Sequence, residues 1–414
     1  MTLRQDADFI IQKAIQKVLP DEAVAAALTG KDFGSGKVYV VAAGKAAWQM
    51  GRAAADILGD RITAGVVVTK YDHVREQIPR MTCYEAGHPV PDENSFAATQ
   101  AAIDLVSNLS AEDTVLFLLS GGGSALFEKP LISGGELADI TGQLLACGAD
   151  IVEMNTIRKR LSAVKGGRFA EICAPASVYS IVLSDILGDP LDMIASGPAY
   201  PDSSLASDAK AIINKYQLKL SMEAMALMDI ETPKSLSNVE TVITGSVRNL
   251  CRAAADACSE LGYRPIILTD QLTCEAREAG VFLAAIAKTQ AANACRRLAY
   301  IAGGETIVHL TGHGKGGRNQ ELALSAAIGI AGLEGTAVFS VGSDGTDGPT
   351  DAAGGYVDGT TMTTLAGLGI DIFETLKDND AYHALKAADG LIITGATGTN
   401  VNDVAVLLVR ETLA

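Results

Sequence analysis

Residues 115–130 read VLFLLSGGGSALFEKP, and this stretch decides the fold class. Its apolar half, residues 115–119, is typical of a buried strand in a parallel sheet. Three glycines follow, and because they carry no Cβ, backbone N–H groups in this turn can converge on an anion. The hydroxyls of Ser120 and Ser124 add two donors. The stretch predicts a phosphate-type loop, although three glycines alone are equally typical of a flexible turn.

The same arrangement recurs along the chain. Apolar runs at residues 38–43, 178–183 and 337–341 each lead into glycine, lysine, serine or aspartate. In an open α/β sheet the carboxyl ends of the parallel strands form the ligand-binding edge. We therefore predict an α/β protein with its site at strand ends. A run at residues 307–310 is predicted as a further strand, and 414 residues suggest two or three domains.

Composition excludes several classes of protein. The formal net charge of −16 disfavours a general nucleic-acid surface. We expect neither a secretory leader nor a membrane-spanning helix, since no apolar run of about 18 residues occurs. Seven cysteines without a CxxC pair favour reduced thiols in a cytoplasmic protein over a disulfide framework or a zinc site.

Two cations stand at predicted helix starts. Lys45 follows Gly44 between a strand and an alanine-rich helix, where the helix dipole and free N–H groups favour a phosphate or carboxylate. The spacing is not that of a P-loop. Arg318, followed by Asn319, opens a helix after a glycine-rich turn and is suited to bidentate binding of the same groups. The most basic stretch is residues 154–170, of which at most one or two charges can reach a site, the others forming a solvated helix face.

Candidate carboxylates follow two other strands. Asp185 comes at a strand end, where it can orient or deprotonate a hydroxyl; Asp189 suits the same work, Mg²⁺ binding, or a turn. Asp344 lies in a loop of aspartates and glycines that suits a metal or another ligand. His88, between Gly87 and Pro89, is a rigid loop residue, and such a histidine is more often structural than catalytic.

Eight segments together resemble one family, the class II glycerate kinases, or glycerate 2-kinases of the MOFRL type, whose members are often labelled hydroxypyruvate reductase. The resemblance runs from about residue 35 to the C-terminus. The segments are AAGKAA (42–47), EAGHPVPDE (85–93), LSGGGSAL (119–126), RKRLSAVKGGR (158–168), SDILGDP (184–190), GHGKGGRNQE (312–321), VGSDGTDGPTDAAG (341–354) and TGTNVND (397–403).

The resemblance implies phosphorylation of D-glycerate at its 2-hydroxyl, with ATP and Mg²⁺ as cofactors. It also implies two Rossmann-like α/β domains with mostly parallel sheets and an interdomain active-site cleft. We place the first domain at residues 1–236, completed by residues 399–414, and the second, MOFRL-type domain at residues 237–398. The expected partners are glycerate and ATP, without nucleic acid or membrane, and the oligomeric state, monomer or homodimer, stays open.

The resemblance also assigns site residues. The active-site cations would be Lys45 and Arg318, with Asp185 as the third catalytic residue. The other expected site residues are Asp189, His88 and Asn319 for substrate, Ser120, Gly121, Gly122, Gly123 and Ser124 for nucleotide phosphates, and Asp189 and Asp344 for metal.

Two other functions compete. A nicotinamide-dependent hydroxypyruvate reductase has formal support from the GxGxxG pattern at residues 312–317. Against it, Asp344 comes about 30 residues after the first glycine, whereas that fingerprint expects its acidic residue after ~20. There is also no histidine–carboxylate pair of suitable spacing. The second alternative is a non-catalytic protein that binds a small anion or a nucleotide.

Overall fold

The computed structural model describes residues 2–291 and 297–411, which fold into two compact domains. The first domain consists of Ala23–Ser184 and Asp189–Thr244. The second takes the chain up to Glu22, the short segment Asp185–Gly188, and everything from Gly245 onward. Each domain is built on its own six-stranded sheet.

The sheet of the first domain has the strand order β3-β2-β1-β4-β5-β6. The pairings from β3 through to β5 are all parallel. The order reverses between β1 and β4, and in open α/β sheets ligands bind at the carboxyl ends of the strands at such a point. The strands are β1 (Val38–Ala43), β2 (Ile62–Lys70), β3 (Met81–Ala86), β4 (Thr114–Leu119), β5 (Ser177–Leu183) and β6 (Val239–Gly245).

Alanine and branched apolar residues let the helices pack closely on this sheet. Ala47, Met50 and Ala54 of α3 pack on one side against Val40 and Leu118. The first ten helices of the chain are α1 (Leu3–Lys17), α2 (Pro20–Leu28), α3 (Ala47–Leu58), α4 (Glu93–Val106), α5 (Gly123–Leu126), α6 (Gly134–Ala146), α7 (Ile151–Arg160), α8 (Arg168–Cys173), α9 (Ala206–Tyr216) and α10 (Met222–Leu227).

The sheet of the second domain has the order β11-β10-β9-β12-β8-β7. Four strands run in one direction, and β10 and β12 run in the other. Its strands are β7 (Arg264–Leu272), β8 (Leu298–Gly304), β9 (Thr336–Gly342), β10 (Gly354–Asp358), β11 (Leu391–Ile392) and β12 (Asp403–Val409). Its further helices are α11 (Val247–Glu260), α12 (Ala276–Ala291), α13 (Arg318–Ile330), α14 (Thr361–Gly367), α15 (Ile372–Lys377) and α16 (Ala381–Ala387).

The prediction of two α/β domains with mostly parallel sheets is confirmed, but the domain boundaries were wrong. Strand β12 does not return to the first domain, because it lies between β8 and β9. Its alternate residues enter the two cores of the second domain, with Val406 on one face and Leu407 on the other. Helix α1 also belongs to the second domain, since Ile10 and Ile11 pack against Leu250 of α11. The boundary near residue 237 shifts to Gly245, because β6 completes the first sheet.

One predicted strand is absent, and two strands were not predicted. Residues 307–310 form no strand; Ile307 makes one isolated bridge to Glu275, and Leu310 is 82% exposed. Strands β3 and β10 were not predicted. Both are short, and their sequences, MTCYEA and GGYVD, lack a continuous apolar run.

Two other expectations bear on the class of protein. In the part of the chain that the structure describes, no helix combines the length and apolar character that crossing a bilayer requires. Six cysteines within those residues are free thiols, and the seventh, Cys295, lies outside the described residues.

Candidate active site

The loops after β1 and β4 are joined at the point where the strand order of the first sheet reverses. The backbone N–H of Lys45 donates to the carbonyl of Gly121 at 2.9 Å, and that of Ala46 donates to Ser120 Oγ at 3.1 Å. Gly44 has a φ of 123°, and a Cβ there would lie 2.3 Å from Ser120 Oγ. Glycine is therefore required at position 44 for the two loops to meet.

The triglycine turn presents backbone donors beside a cation. No described residue accepts a hydrogen bond from the backbone N–H of Gly121 or Gly122. A Cβ built on Gly122, whose φ is 83°, would lie 3.0 Å from His88 Nε2 and 3.1 Å from Lys45 Cγ. Lys45 and His88 thus both border the turn, and a side chain at position 122 would fill the space between them.

A second lysine belongs to this group and was missed in the sequence. Lys70 is the last residue of β2, and it lies level with Lys45 because the parallel register pairs Ala43 of β1 with Val68 of β2. The pKa of His88 is lowered first by partial burial and then by the positive charges of Lys45 and Lys70. Neither ammonium group has an ion-pair partner among the described residues. The strand ends therefore carry two uncompensated positive charges next to a histidine that favours its neutral form.

The two serines of the turn have structural contacts. Ser120 is buried, and its hydroxyl oxygen accepts the N–H of Ala46. The carbonyl of Ser124 accepts hydrogen bonds from Arg158 Nη2 at 3.1 Å and Lys165 Nζ at 2.9 Å. The basic stretch at residues 154–170 is accordingly not a solvated face. Lys159, Arg160 and Lys165 are buried in ion pairs within the first domain.

The segment after β5 contains the two predicted catalytic-type aspartates. Asp189 has a φ of 53°, in the left-handed region, and its Oδ1 is buried without a hydrogen-bond partner. A buried carboxylate oxygen without a donor is costly unless a cation or a hydroxyl approaches it. Asp185 is half-buried and belongs to the short segment that groups with the second domain.

In the second domain Arg318 is the first residue of α13 and is held by carboxylates. Its Nε and Nη2 donate to Asp403 at 2.5 and 3.0 Å, and its Nη1 donates to Glu305 at 2.8 Å. Burial opposes the charge of this guanidinium, but the hydrogen bonds and the charge of Asp403 outweigh it, so that the pKa of Arg318 is raised. Asp403 ends the family segment at residues 397–403, but it was not predicted as a site residue. Its signal is weak, because it stands at the start of a strand.

Asn319 was predicted to bind substrate, and the structure places its side chain elsewhere. It is 1% exposed; its Nδ2 donates to Asp347 Oδ1, and its Oδ1 accepts the hydroxyl of Ser340. Asp347 also accepts the backbone N–H groups of Asn319 and Gln320, at the start of α13. Burial, reinforced by the charge of Asp403, raises the pKa of Asp347 to about 6. Asn319 therefore orders the helix start from the inside.

The predicted metal residues do not form a complete cage. Asp344 Oδ1 accepts the backbone N–H of Thr346 at 2.9 Å. Within residues 2–291 and 297–411, no three histidine, cysteine or acidic side chains are placed to hold one metal ion. A metal here would need ligands from water or substrate in addition to an aspartate.

The glycine-rich pattern at residues 312–317 has a packing explanation. A Cβ on Gly312 would lie 2.3 Å from Asp378 Cα, and one on Gly314 would lie 2.4 Å from Asp380 Cβ. The N–H of Gly314 already donates to the carbonyl of Asp378 at 2.8 Å. These glycines permit contact with another loop of the same domain, and no strand precedes them. A dinucleotide-binding fingerprint instead requires a strand directly before the glycines, and glycines that leave room for the pyrophosphate.

These features define a two-domain α/β protein with two unpaired lysines at the carboxyl edge of the first sheet, among the described residues, and a carboxylate-held arginine in the second domain. A family model described as a domain of unknown function, DUF4147, matches residues 6–229, and the MOFRL family model matches residues 298–403. The chain belongs to this DUF4147 and MOFRL family, as the sequence resemblance predicted.

Similar proteins span the whole chain. A Thermotoga maritima protein named D-glycerate 2-kinase is 52% identical over 413 residues, which cover 99% of each chain. A glycerate 2-kinase of Pyrococcus horikoshii is 40% identical, with 99% of this chain and 98% of that protein covered. The crystal structure of a glycerate kinase from Thermotoga maritima superposes with a TM-score of 0.94 at 51% identity, covering 98% of this chain and 99% of that one.

Proposed function

We propose that this protein is a D-glycerate 2-kinase, which transfers the γ-phosphoryl group of ATP to the 2-hydroxyl of D-glycerate. One observation carries the proposal: Lys45 borders the triglycine turn with its free N–H groups, and neither Lys45 nor Lys70 has a counter-ion among the described residues. In a chain of net charge −16, such a local excess of positive charge favours an anionic ligand. The names of the relatives reported above indicate that glycerate accepts the phosphoryl group.

Phosphoryl transfer requires positioning and neutralisation of charge more than covalent chemistry. The backbone N–H groups of Gly121 and Gly122 suit the phosphate oxygens of ATP, because no residue that the structure describes accepts a hydrogen bond from them. Lys45, which borders the same turn, neutralises the charge of the transferring phosphoryl group. Lys70 adds a second positive charge, and His88 in its neutral form can donate to, or accept from, a ligand hydroxyl.

The acceptor hydroxyl needs a base. In the proposal Asp185 orients the 2-hydroxyl and takes its proton, and Asp189 supports it. The unpartnered Oδ1 of Asp189 fits either a hydroxyl or a bound Mg²⁺. Mg²⁺, when bound, would neutralise phosphate charge, and one or two carboxylates with water and phosphate oxygens suffice to hold it. Asp189 is the better ligand on this ground, with Asp344 as the other candidate.

Arg318 would bind either the glycerate carboxylate or the transferring phosphoryl group. Asp403 and Glu305 occupy three of its five N–H donors. The remaining two belong to Nη1 and Nη2, and they are the donors left to bind an anion. Asp403 then acts as a positioning residue that sets the plane of this arginine.

A paired assay on one preparation tests the proposal. One half measures ADP release with D-glycerate, ATP and Mg²⁺ and identifies the phosphoglycerate isomer by NMR. The other half measures oxidation of NADH and NADPH with hydroxypyruvate. We expect ADP release with 2-phosphoglycerate as product, and loss of turnover in Asp185→Asn. Nicotinamide oxidation without ADP release, or wild-type turnover in Lys45→Ala, would refute the proposed chemistry.

A further inference from the structure

A buried charge cluster lies directly behind the triglycine turn. It consists of Arg158, Lys165 and Glu128, and the side chains of Lys165 and Glu128 are fully buried. Lys165 Nζ lies 3.1 Å from Glu128 Oε2 and donates to the carbonyls of Ser124 at 2.9 Å and Phe127 at 3.1 Å. Arg158 Nη2 donates to the same carbonyl of Ser124. Two cations and one anion leave a net positive charge on this side of the turn.

Backbone hydrogen bonds hold the segment that contains Lys165 against the segment that follows the triglycine turn. Pro130 and Ser162 form an antiparallel bridge. The N–H of Leu131 donates to the carbonyl of Leu161, and that of Ala163 donates to the carbonyl of Lys129, both at 2.8 Å. The segment that contains Lys165 is thereby fixed to the segment that continues from the turn. The placement of Lys165 is part of the local architecture.

We propose that Arg158 and Lys165 are positioning residues for nucleotide phosphate, which act by fixing the carbonyls of the helical turn α5 so that the preceding N–H groups stay aimed at the ligand. The proposal rests on the function proposed above and adds residues that do not themselves touch the ligand.

Three observations support a role beyond packing. First, Gly121, Gly122 and Gly123 have large backbone freedom, and a turn of this kind must be held for its N–H groups to stay oriented. Second, both cations meet at one carbonyl of that turn. Third, burial lowers the pKa of Lys165 to about 8, so this charge is kept in the interior at a cost to stability. Uncharged side chains of similar size in place of both Lys165 and Glu128 would fill the same space without that cost.

The test separates positioning from folding through a charge-neutral pair of substitutions. Lys165→Met alone leaves Glu128 buried without a cation and is expected to destabilise the domain. The double variant Lys165→Met/Glu128→Gln removes both charges and should melt close to the wild type. For this double variant we expect the Kd for ATP, measured by calorimetry, to rise about tenfold. A tenfold change is the size expected when one hydrogen bond to a charged group, at about 1.4 kcal/mol, is lost. The KM for glycerate should not change.

Two further variants act as controls. Lys159 lies in the same helix as Arg158 and is buried in an ion pair with Asp202 at 3.0 Å, but it makes no contact with the turn. Lys159→Met should lower the melting temperature and leave the Kd for ATP of the folded protein unchanged. Arg158→Leu should raise that Kd several-fold, and Arg158→Lys should recover part of the loss because it restores the charge.

The outcomes distinguish the two proposals. Wild-type kinase activity together with an unaltered Kd for ATP in Lys165→Met/Glu128→Gln would overturn the positioning role and leave the proposed function standing. If the wild type binds ATP but does not phosphorylate glycerate, the proposed reaction fails, and the positioning role is still decided by the same Kd values. A wild type that binds neither ATP nor ADP would overturn both.

Discussion

Arg318 and Asp403 form a bidentate pair, with Nε to Oδ2 at 2.5 Å and Nη2 to Oδ1 at 3.0 Å. The carboxylate of Asp403 is buried, and Arg318 is half-buried at the start of α13. Such a pair fixes the plane of the guanidinium, because two parallel hydrogen bonds allow it no rotation. The direction in which Arg318 presents its remaining donors is therefore set by a residue 85 positions later in the chain.

Removing Asp403 should affect both stability and activity. In Asp403→Ala the guanidinium loses two hydrogen bonds but keeps Glu305 and its contact with solvent, so we expect the free energy of unfolding to fall by about 1–3 kcal/mol. We expect kcat to fall about 10²-fold, measured in the coupled ADP assay under conditions where the variant is folded. Glu305→Gln is the control, because Glu305 is 48% exposed and its ion pair should contribute only about 0–1 kcal/mol. Equal effects of the two substitutions would contradict the orienting role of Asp403.

The two lysines at the strand ends should differ in their kinetic effect. Lys45→Ala is expected to lower kcat about 10³-fold, as loss of an arginine finger at the transferring phosphoryl group does in GTPases. Lys70→Ala is expected to raise the KM for ATP about tenfold, with a smaller change in kcat, because in the proposal Lys70 attracts bound phosphate and does not act on the transferring group.

Lys37→Ala is the matched control for both lysines. Lys37 immediately precedes β1, whereas Lys45 follows it, so that Lys37 lies at the opposite edge of the same sheet. Its removal subtracts the same charge and should leave kcat and the KM for ATP unchanged. If Lys37→Ala weakened ATP binding as much as Lys70→Ala, general attraction by net charge would explain the data and a local site would not.

Asp347 should give the second domain a measurable pH dependence. Its pKa is about 6 in the folded protein and ~3.9 in an unfolded chain, so between these values the folded state binds more protons. The contribution of Asp347 to the free energy of unfolding therefore falls as pH rises from 4 to 6. At about 1.4 kcal/mol per pKa unit, the total is roughly 3 kcal/mol.

Asp347→Asn tests this sign, since asparagine keeps an oxygen that can cap α13. The stability of Asp347→Asn relative to the wild type should increase by up to about 3 kcal/mol between pH 4 and pH 7, measured by denaturant unfolding. The loss of one acceptor oxygen would add an offset that is the same at every pH. A difference that stays constant over this range would show that Asp347 titrates normally.

The glycines of the loop at residues 312–317 should matter for packing and not for a dinucleotide. Gly312→Ala and Gly314→Ala would each place a methyl group within 2.4 Å of residues 378–380. We expect a loss of about 1–3 kcal/mol in unfolding free energy for each. Gly367→Ala, at a helix position of the same domain with nothing within 4 Å, should be neutral or slightly stabilising. NADH should not bind to the wild type in a fluorescence titration; saturable binding that Gly314→Ala abolishes would reverse this conclusion.

Local sequence was sufficient for the parts of the site that a strand and its own loop create. The apolar run of β4 and the three glycines after it predict a buried strand and an open turn, because hydrophobic periodicity and the absence of Cβ act within a few residues. The same reasoning placed Lys45 after β1 and Arg318 at the start of α13. The family resemblance added the reaction, which no single segment indicates.

Tertiary structure decided which of these groups act together and which are internal. Lys70 joins Lys45 and His88 only because β2, β1 and β4 are neighbours, and strand order depends on contacts between distant segments. Burial also distinguishes two neighbouring residues. Arg318 is partly exposed and keeps free N–H donors, whereas the side chain of Asn319 is buried and hydrogen-bonds to Asp347 and Ser340. Burial also places Lys159, Arg160 and Lys165 of the basic stretch in internal ion pairs.

β12 stays in the second domain because its two apolar faces fit between helices on either side of that sheet. Periodicity shows that a strand is buried on both faces, but only the packed core shows which sheet buries it.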